Sequence, residues 1–414
     1  MNTNALNILQ LSPQVPFPLL DGGKVGIFNI TKHLAQRGHN VTMLALDRTP
    51  GVDAKPLEEF CDLIRVRHSN RNSVPRALMN LFSEDPYNIS KYDSPAYAEA
   101  LSDLLARKTF DVVHVDHLHM ARYGVSCRQQ RQLPIVLREH NIESVIVERF
   151  AENARPALLQ VWARMQARRI RDYEGRLAAR YDMCCAVTQE DKKRLLKLAP
   201  TARVCVVPAG VDESLFVPEV AEEGDGMPGS IALFGSFDWL PNQDALRWFV
   251  KSIFPLVVSQ YGDARLTIVG KDIPGEVQEL RGKGITIRGF VPDLRHELRK
   301  HLLTVVPLRM GGGMRLKIVE SFAMQIPVVS TSIGCEGIEC RDGEHLLIAD
   351  TEKEFAGQVV RMLTDRRLRE KLSRSAWTLA RERYRWETAA ESLETVYREA
   401  IGRRMDNGNK GDVA

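Results

Sequence analysis

Residues 7–46, NILQLSPQVPFPLLDGGKVGIFNITKHLAQRGHNVTMLAL, decide the fold. A short apolar run (Asn7–Leu11) passes through a proline-rich loop to Gly22-Gly23, then to a stretch of helical period (Lys24–Arg37), then to a second apolar run (Val41–Leu46). Strands that read as unbroken apolar runs with helices between them belong to parallel sheets covered on both faces.

The same rhythm continues along the chain. It predicts further strands near Leu63–Arg67, Asp111–Val115, Ile135–Leu137, Met183–Val187 and Val204–Val207, with helices near Pro95–Arg107, Pro156–Arg180 and Glu190–Lys197. Residues 218–230, PEVAEEGDGMPGS, are acidic, rich in Gly and Pro, and without apolar periodicity, which reads as a linker. Beyond them strands follow near Ile231–Phe234, Leu266–Val269, Ile285–Ile287, Leu302–Val306, Pro327–Ser330 and Leu346–Ile348. The prediction is an α/β chain of two Rossmann-like doubly wound domains, 1–215 and 231–383, joined by a linker at 216–230. A helix at 384–403 is expected to pack back on the N-terminal domain, and 404–414 to be a disordered tail.

At 414 residues the length suits two domains, and an apolar fraction of 44% with 27% charged residues excludes disordered and fibrous classes. Residues 1–215 hold 29 Lys and Arg against 24 Asp and Glu, and 216–414 hold 28 against 29. So weak a bias argues against nucleic acid and fits an anionic substrate or surface. Seven cysteines without a C-x-x-C fit a reducing cytoplasm better than a disulfide framework. No run approaches the length of a membrane span, so any membrane contact is expected to be peripheral. Residues 155–180 carry seven arginines against Asp172 and Glu174 with apolar residues interleaved, a basic amphipathic helix suited to an anionic leaflet, although a solvated helix face explains it as well.

Four places carry candidate chemistry. Gly22-Gly23 ahead of a helix offers bare backbone amides to phosphate or sugar oxygens. Arg309-Met-Gly311-Gly312-Gly313-Met314-Arg315-Leu-Lys317-Ile-Val-Glu320 follows a strand and opens a helix; its glycines let an anion approach the backbone while Arg315 and Lys317 add charge, the pattern of a donor phosphate site. Glu320 can accept from ribose hydroxyls, or simply pair with Lys317 on one helix face. His114-Val-Asp116-His117-Leu-His119 and Arg138-Glu139-His140-Asn141 close two consecutive strands, where open sheets bind ligands. Three histidines in six residues raise a metal site, but the spacing is not a standard one and no cysteine accompanies them, so no metal is expected. The absence of any D-x-D likewise leaves phosphate charge to Arg, Lys and amides.

In this order the motifs resemble glycosyltransferase family 4, over nearly the whole chain: the Gly22-Gly23 loop with HLAQRGHNVTMLAL, DVVHVDH, VLREHNIES, VVPAGVD, LFGSFDWLPNQDALRWFV, LTIVG and LKIVESFAMQIPVVST through EGIECRDGEHLLIAD. The resemblance implies a GT-B fold, two Rossmann-like domains facing each other across a cleft, with a nucleotide-diphosphate sugar on the C-terminal domain and a glycan or lipid-linked acceptor on the N-terminal one. It implies retaining hexosyl transfer without metal or other cofactor. Glu320 matches the second Glu of the family's E-x7-E motif, while Gly312 stands at the first. The Arg and Lys that many relatives carry in the segment matching GSFDWLPN are missing, and Arg315 and Lys317, in a G-x-G-x-R-L-K-x-x-E branch of the family, are expected to replace them. The cleft histidine of the family maps to Asp116 or His117. Gly311, Gly312, Gly313, Met314 and Glu320 are thus expected at the donor, Asp116, His117, Arg315 and Lys317 in catalysis, and Gly22, Gly23, His140 and Asn141 at the acceptor. Two other readings stay open: a non-catalytic binding subunit of a polysaccharide assembly complex, fed by Gly312 in place of Glu, and a nucleotide-sugar epimerase.

Overall fold

A computed structural model describes residues 5–411 except 20–21, 49–50, 71, 154–155, 217–225, 238, 292 and 312. The chain forms two compact units, one of residues 1–209 with 386–414 and one of residues 210–385.

The first unit holds a seven-stranded parallel sheet: β1 (Asn7–Ser12), β2 (Asn40–Asp47), β3 (Asp62–Arg67), β4 (Val112–Asp116), β5 (Ile135–Glu139), β6 (Met183–Ala186) and β7 (Val204–Val206), in the order β3-β2-β1-β4-β5-β6-β7. β1 and β4 are neighbours although three strands apart in sequence, with Ile8 opposite Val112 and Leu11 opposite Val115. The strand order reverses there, and an open sheet forms a ligand crevice at the C-terminal ends of such a pair. Ile8, Leu9, Leu11, Val112, Val113 and Val115 are wholly buried, as two covered faces require.

The second unit repeats the design with β8 (Ser230–Phe234), β9 (Arg265–Val269), β10 (Ile285–Gly289), β11 (Leu303–Val306), β12 (Val328–Ser330) and β13 (Leu347–Ile348), ordered β10-β9-β8-β11-β12-β13. Its reversal lies between β8 and β11.

Three boundaries differ from the sequence reading. The first unit ends at Ala209, not 215, because Val211 is buried among Ile318, Phe322 and Tyr384 and bridges to Arg385, which ties the segment after Gly210 to the second core. The expected linker at 216–230 is narrower: Ser230 already begins β8, and 217–225 lie outside the described residues. The expected disordered tail is helix as far as Gly411, the end of a helix that starts at Trp386. That helix belongs to the first unit, where Trp386, Leu393 and Tyr397 are fully buried against Ile27, Leu34 and Val136. Among the described residues no helix is long and apolar enough to cross a membrane.

Candidate active site

In the second unit both loops singled out by sequence flank the strand reversal. β8 runs into Gly235 and the helix Leu240–Trp248, and β11 runs into the glycine segment ahead of the helix Leu316–Ala323. Lys317 leaves the second helix and crosses to the first loop. Its Nζ donates to the Phe234 carbonyl at 3.0 Å and to Asn242 Oδ1 at 3.1 Å, and it lies 5.9 Å from the centre of the Phe234 ring. The ammonium therefore turns toward the end of β8 and makes no ion pair with Glu320. Burial, and then the charge of Arg315, pull its pKa down to about 8.

Arg315 is 6% exposed, donates through Nη1 to the Gly313 carbonyl at 3.1 Å, and stacks its guanidinium 5.4 Å from the Trp239 ring. Gly311 has φ 126° and Gly313 φ 74°, a backbone region that favours glycine. A Cβ on Gly311 would meet Arg315 Nη2 at 2.4 Å, so the glycine makes room for the guanidinium itself. The Lys317 and Arg315 side chains thus both lie against the end of β8 and the GSFDWLPN segment, across the reversal from their own helix. Beside them Arg309 forms a two-pronged bridge to Asp244 at 2.6 and 3.0 Å. Glu320, half-buried one turn further on, has its pKa raised by burial, which Lys317 offsets only in part. Met314 packs with the core around Ile318 and Phe322, and Gly312 lies outside the described residues.

In the first unit the ends of β4 and β5 converge. Asp116 is fully buried, accepts from Gln10 Nε2 at 2.6 Å, and lies 3.1 Å from His114 Nε2, 3.3 Å from His140 Nε2 and 3.5 Å from Arg138 Nη1. Burial alone would raise its pKa; His114 and His140 overcome that and hold the carboxyl well below the usual range. His114 is itself fixed from behind by the Tyr397 hydroxyl, 2.8 Å from Nδ1, and so stands as a supporting core histidine. Gln10, held by Thr31 at 2.8 Å, links the cluster to the helix Gly22–Gln36.

The His117 and His140 rings stack at 3.9 Å and 18°. His117 has φ 66°, a strained conformation for a non-glycine residue, fixed by its N–H donating to the Arg138 carbonyl at 2.9 Å. Burial lowers the pKa of both rings, with Arg138 next for His140, which falls to about 4. The site therefore holds both imidazoles neutral, with His140 Nε2 already 2.7 Å from Arg138 Nη1. Gly22 and Gly23 form the first turn of the helix Gly22–Gln36, not a turn ahead of it as expected. Gly26 of that helix packs so closely on His140 that a Cβ would meet its ring at 3.0 Å. Asn141 follows His140, half-buried.

The residues that sequence reasoning missed are Gln10, Trp239, Asn242 and Glu143. His117, His119 and Glu143 each bring a ligand atom within 4.8 Å of the others, a geometry that could hold a cation. Lys91 and Arg48 bear on the same place, where burial and then these two charges push His119 down to about 4. Burial and then Glu174 raise Glu143 to about 8. Glu174 reaches the start of the helix Glu143–Asn153 from 31 residues away and accepts from the Glu143 N–H at 2.7 Å.

Two doubly wound units, each with polar loops at its strand reversal and one with two cations at a glycine-rich turn, make up a double Rossmann-like architecture. Family models match both parts: the one described as Glycosyltransferase Family 4 over residues 20–215 and Glycosyl transferases group 1 over 228–365. The chain belongs to these glycosyltransferases and has the GT-B fold. A 44.6 kDa uncharacterized protein in the cps region of Klebsiella pneumoniae is 21% identical over 368 residues, 85% of this chain and 90% of that protein. Among solved structures, sucrose-phosphate synthase from Thermosynechococcus elongatus superposes with a TM-score of 0.73 at 18% identity, covering 96% of this chain and all of that one. The Anabaena protein HepE in complex with UDP and glucose gives 0.65 at 16%, covering 94% and 99%.

Proposed function

We propose that the chain moves a sugar from a nucleotide-diphosphate donor to a glycan or lipid-linked acceptor with retention of configuration, in the synthesis of a surface or exported polysaccharide. The observation that carries this reading is the placement of Arg315 and Lys317 against the Phe234–Asn242 segment, at the strand reversal of the second unit. Departure of the diphosphate builds negative charge on its leaving oxygen, and fixed cations with glycine amides at that oxygen are the main catalytic device. Glu320 takes the ribose hydroxyls. The acceptor attacks on the face that the diphosphate leaves, which needs no protein nucleophile, and the His117–His140 stack beside Asp116 belongs to the acceptor side. The relative from a cps region supports the polysaccharide role, and UDP on a fold neighbour supports a nucleotide donor.

A thermal-shift series with uridine, guanosine and other nucleotide diphosphates and their sugars, with magnesium and with chelator, tests it. Ligand at many times its dissociation constant stabilises by a few kcal/mol. A shift with one nucleotide family, equal in magnesium and chelator, is the expected result; a shift that needs magnesium removes the metal-free mechanism, and none with any nucleotide removes the donor site.

On this reading the protein works in the cytoplasm at the inner face of the membrane. In the helix Ala157–Ala178, Arg169 is engaged with the Asn80 and Leu81 carbonyls and Arg171 with Glu148, whereas Leu158, Val161, Arg164 and Arg168 are exposed at three- and four-residue spacing. Co-sedimentation with anionic vesicles should fall on adding salt and fall again in Arg164→Glu/Arg168→Glu. Binding unchanged by either would sink the membrane role.

A further inference from the structure

The N-terminal edge of the second sheet, opposite the edge that carries Gly311 and Lys317, holds a cavity of about 330 Å³ that the transferase reading leaves unused. Leu302 and Pro327, which immediately precede β11 and β12, form its floor, and the first turns of the helix Arg366–Arg383 form one wall. Arg299, Arg366, Arg369 and Arg374 line it against one carboxylate, Glu370, four positive charges to one negative. Arg369 is held in place by the Met362 and Leu363 carbonyls at 2.7 and 3.1 Å, and Arg366 by Glu370 at 2.8 Å. The Arg374 guanidinium has no partner among the described residues.

His301 adds a chemical preference to this charge. It is 4% exposed, and its Nδ1 lies 3.0 Å from the Glu297 carbonyl, which can only accept, so Nδ1 carries the proton. Nε2 is left as an acceptor, buried and without a hydrogen-bond partner among the described residues. An occupant that suits both features is anionic and also carries an O–H. Hydrogen phosphate has both near neutral pH; sulfate has only the charge.

We propose that this cavity binds a hydrogen-phosphate group, as free phosphate or as the phosphate of a small sugar, at a second anion site of the unit remote from the donor loops. The arginines neutralise the anion with charge-assisted hydrogen bonds, and His301 Nε2 accepts the phosphate O–H. The bound anion ties the Arg366–Arg383 helix to the strand edge.

The test is a thermal-shift titration at constant ionic strength, in a Lys317→Met background so that the donor loop cannot account for the response. Millimolar inorganic phosphate should raise the midpoint by roughly 3 °C, with sulfate clearly weaker. Arg374→Glu should abolish the shift while leaving the phosphate-free midpoint unchanged, and Arg366→Gln serves if that variant fails to fold. His301→Asn should erase the preference for phosphate over sulfate. A sugar phosphate that shifts more than phosphate alone identifies the larger ligand as the source, and one that shifts less identifies the free anion. Equal responses to phosphate and sulfate in the parent, or a full phosphate response in Arg374→Glu and Arg366→Gln, would overturn the proposal.

Discussion

Lys317→Met should lower sugar transfer by about 10²-fold or more, the scale seen when one preorganised donor to a developing oxyanion is removed. The methionine keeps most of the side-chain volume among Phe234 and Asn242, so the thermal midpoint should stay near that of the parent. The pH dependence supplies a signature that a packing role would not. With its pKa lowered to about 8, Lys317 is charged below that value and loses its charge as the pH rises through it. Affinity for the nucleotide diphosphate should therefore be flat toward neutral pH and fall on the alkaline side, with bound diphosphate shifting the fall upward. The alkaline fall should vanish in Lys317→Met. Arg315 sustains a residual affinity. Titration calorimetry across pH 6 to 10 reads both effects, and a variant that binds like the parent at every pH would show that the phosphates sit elsewhere.

Most strands were legible because they are short apolar runs bounded by breakers with both faces covered; β3 and β10, at the sheet edges, are only partly buried. The helix Pro95–Arg107 lies where its signals put it, with Pro95 at its first position and the Ser94 hydroxyl accepting from the Tyr97 N–H at 3.3 Å. The helix Glu143–Asn153 had no such local signal: its cap is the Glu174 carboxylate from another helix, and tertiary capping leaves no spacing to read. The same division runs through the site. Arg315, Lys317 and the glycines were visible as a motif, whereas their anchors Trp239 and Asn242 lie 75 or more residues earlier and become neighbours only through the β8–β11 pairing. The convergence of Asp116 with His140 was readable from two consecutive strands ending in polar residues, but Gln10 beneath Asp116 came from a third strand whose alternation gave no hint of a buried amide.

Asp116→Asn should be the most destabilising of the site variants. It would leave Arg138, 1% exposed, as a buried cation without its anion, and breaking a buried pair on one side costs about 3–5 kcal/mol. For a unit of this size that corresponds to a fall of roughly 10 °C in the midpoint. Asp116→Asn/Arg138→Met should recover much of it, because the second change removes the stranded charge. Acid should expose the same cluster. Asp116 has a folded pKa well below its unfolded value, so its stabilising contribution is present above the unfolded value and is lost as the pH falls through the folded one. His140, at about 4 when folded against about 6.5 unfolded, refuses a proton that the unfolded chain takes up, so stability already declines as the pH drops across that window. The parent should lose stability in both stages, and Asp116→Asn only in the upper one. Because Asp116 lies in the first unit and Arg315 and Lys317 in the second, the variant, assayed where it is folded, should keep the nucleotide affinity of the parent while transfer falls. A parallel loss of both would place Asp116 in the donor's binding energy and refute the division of labour between the two strand reversals.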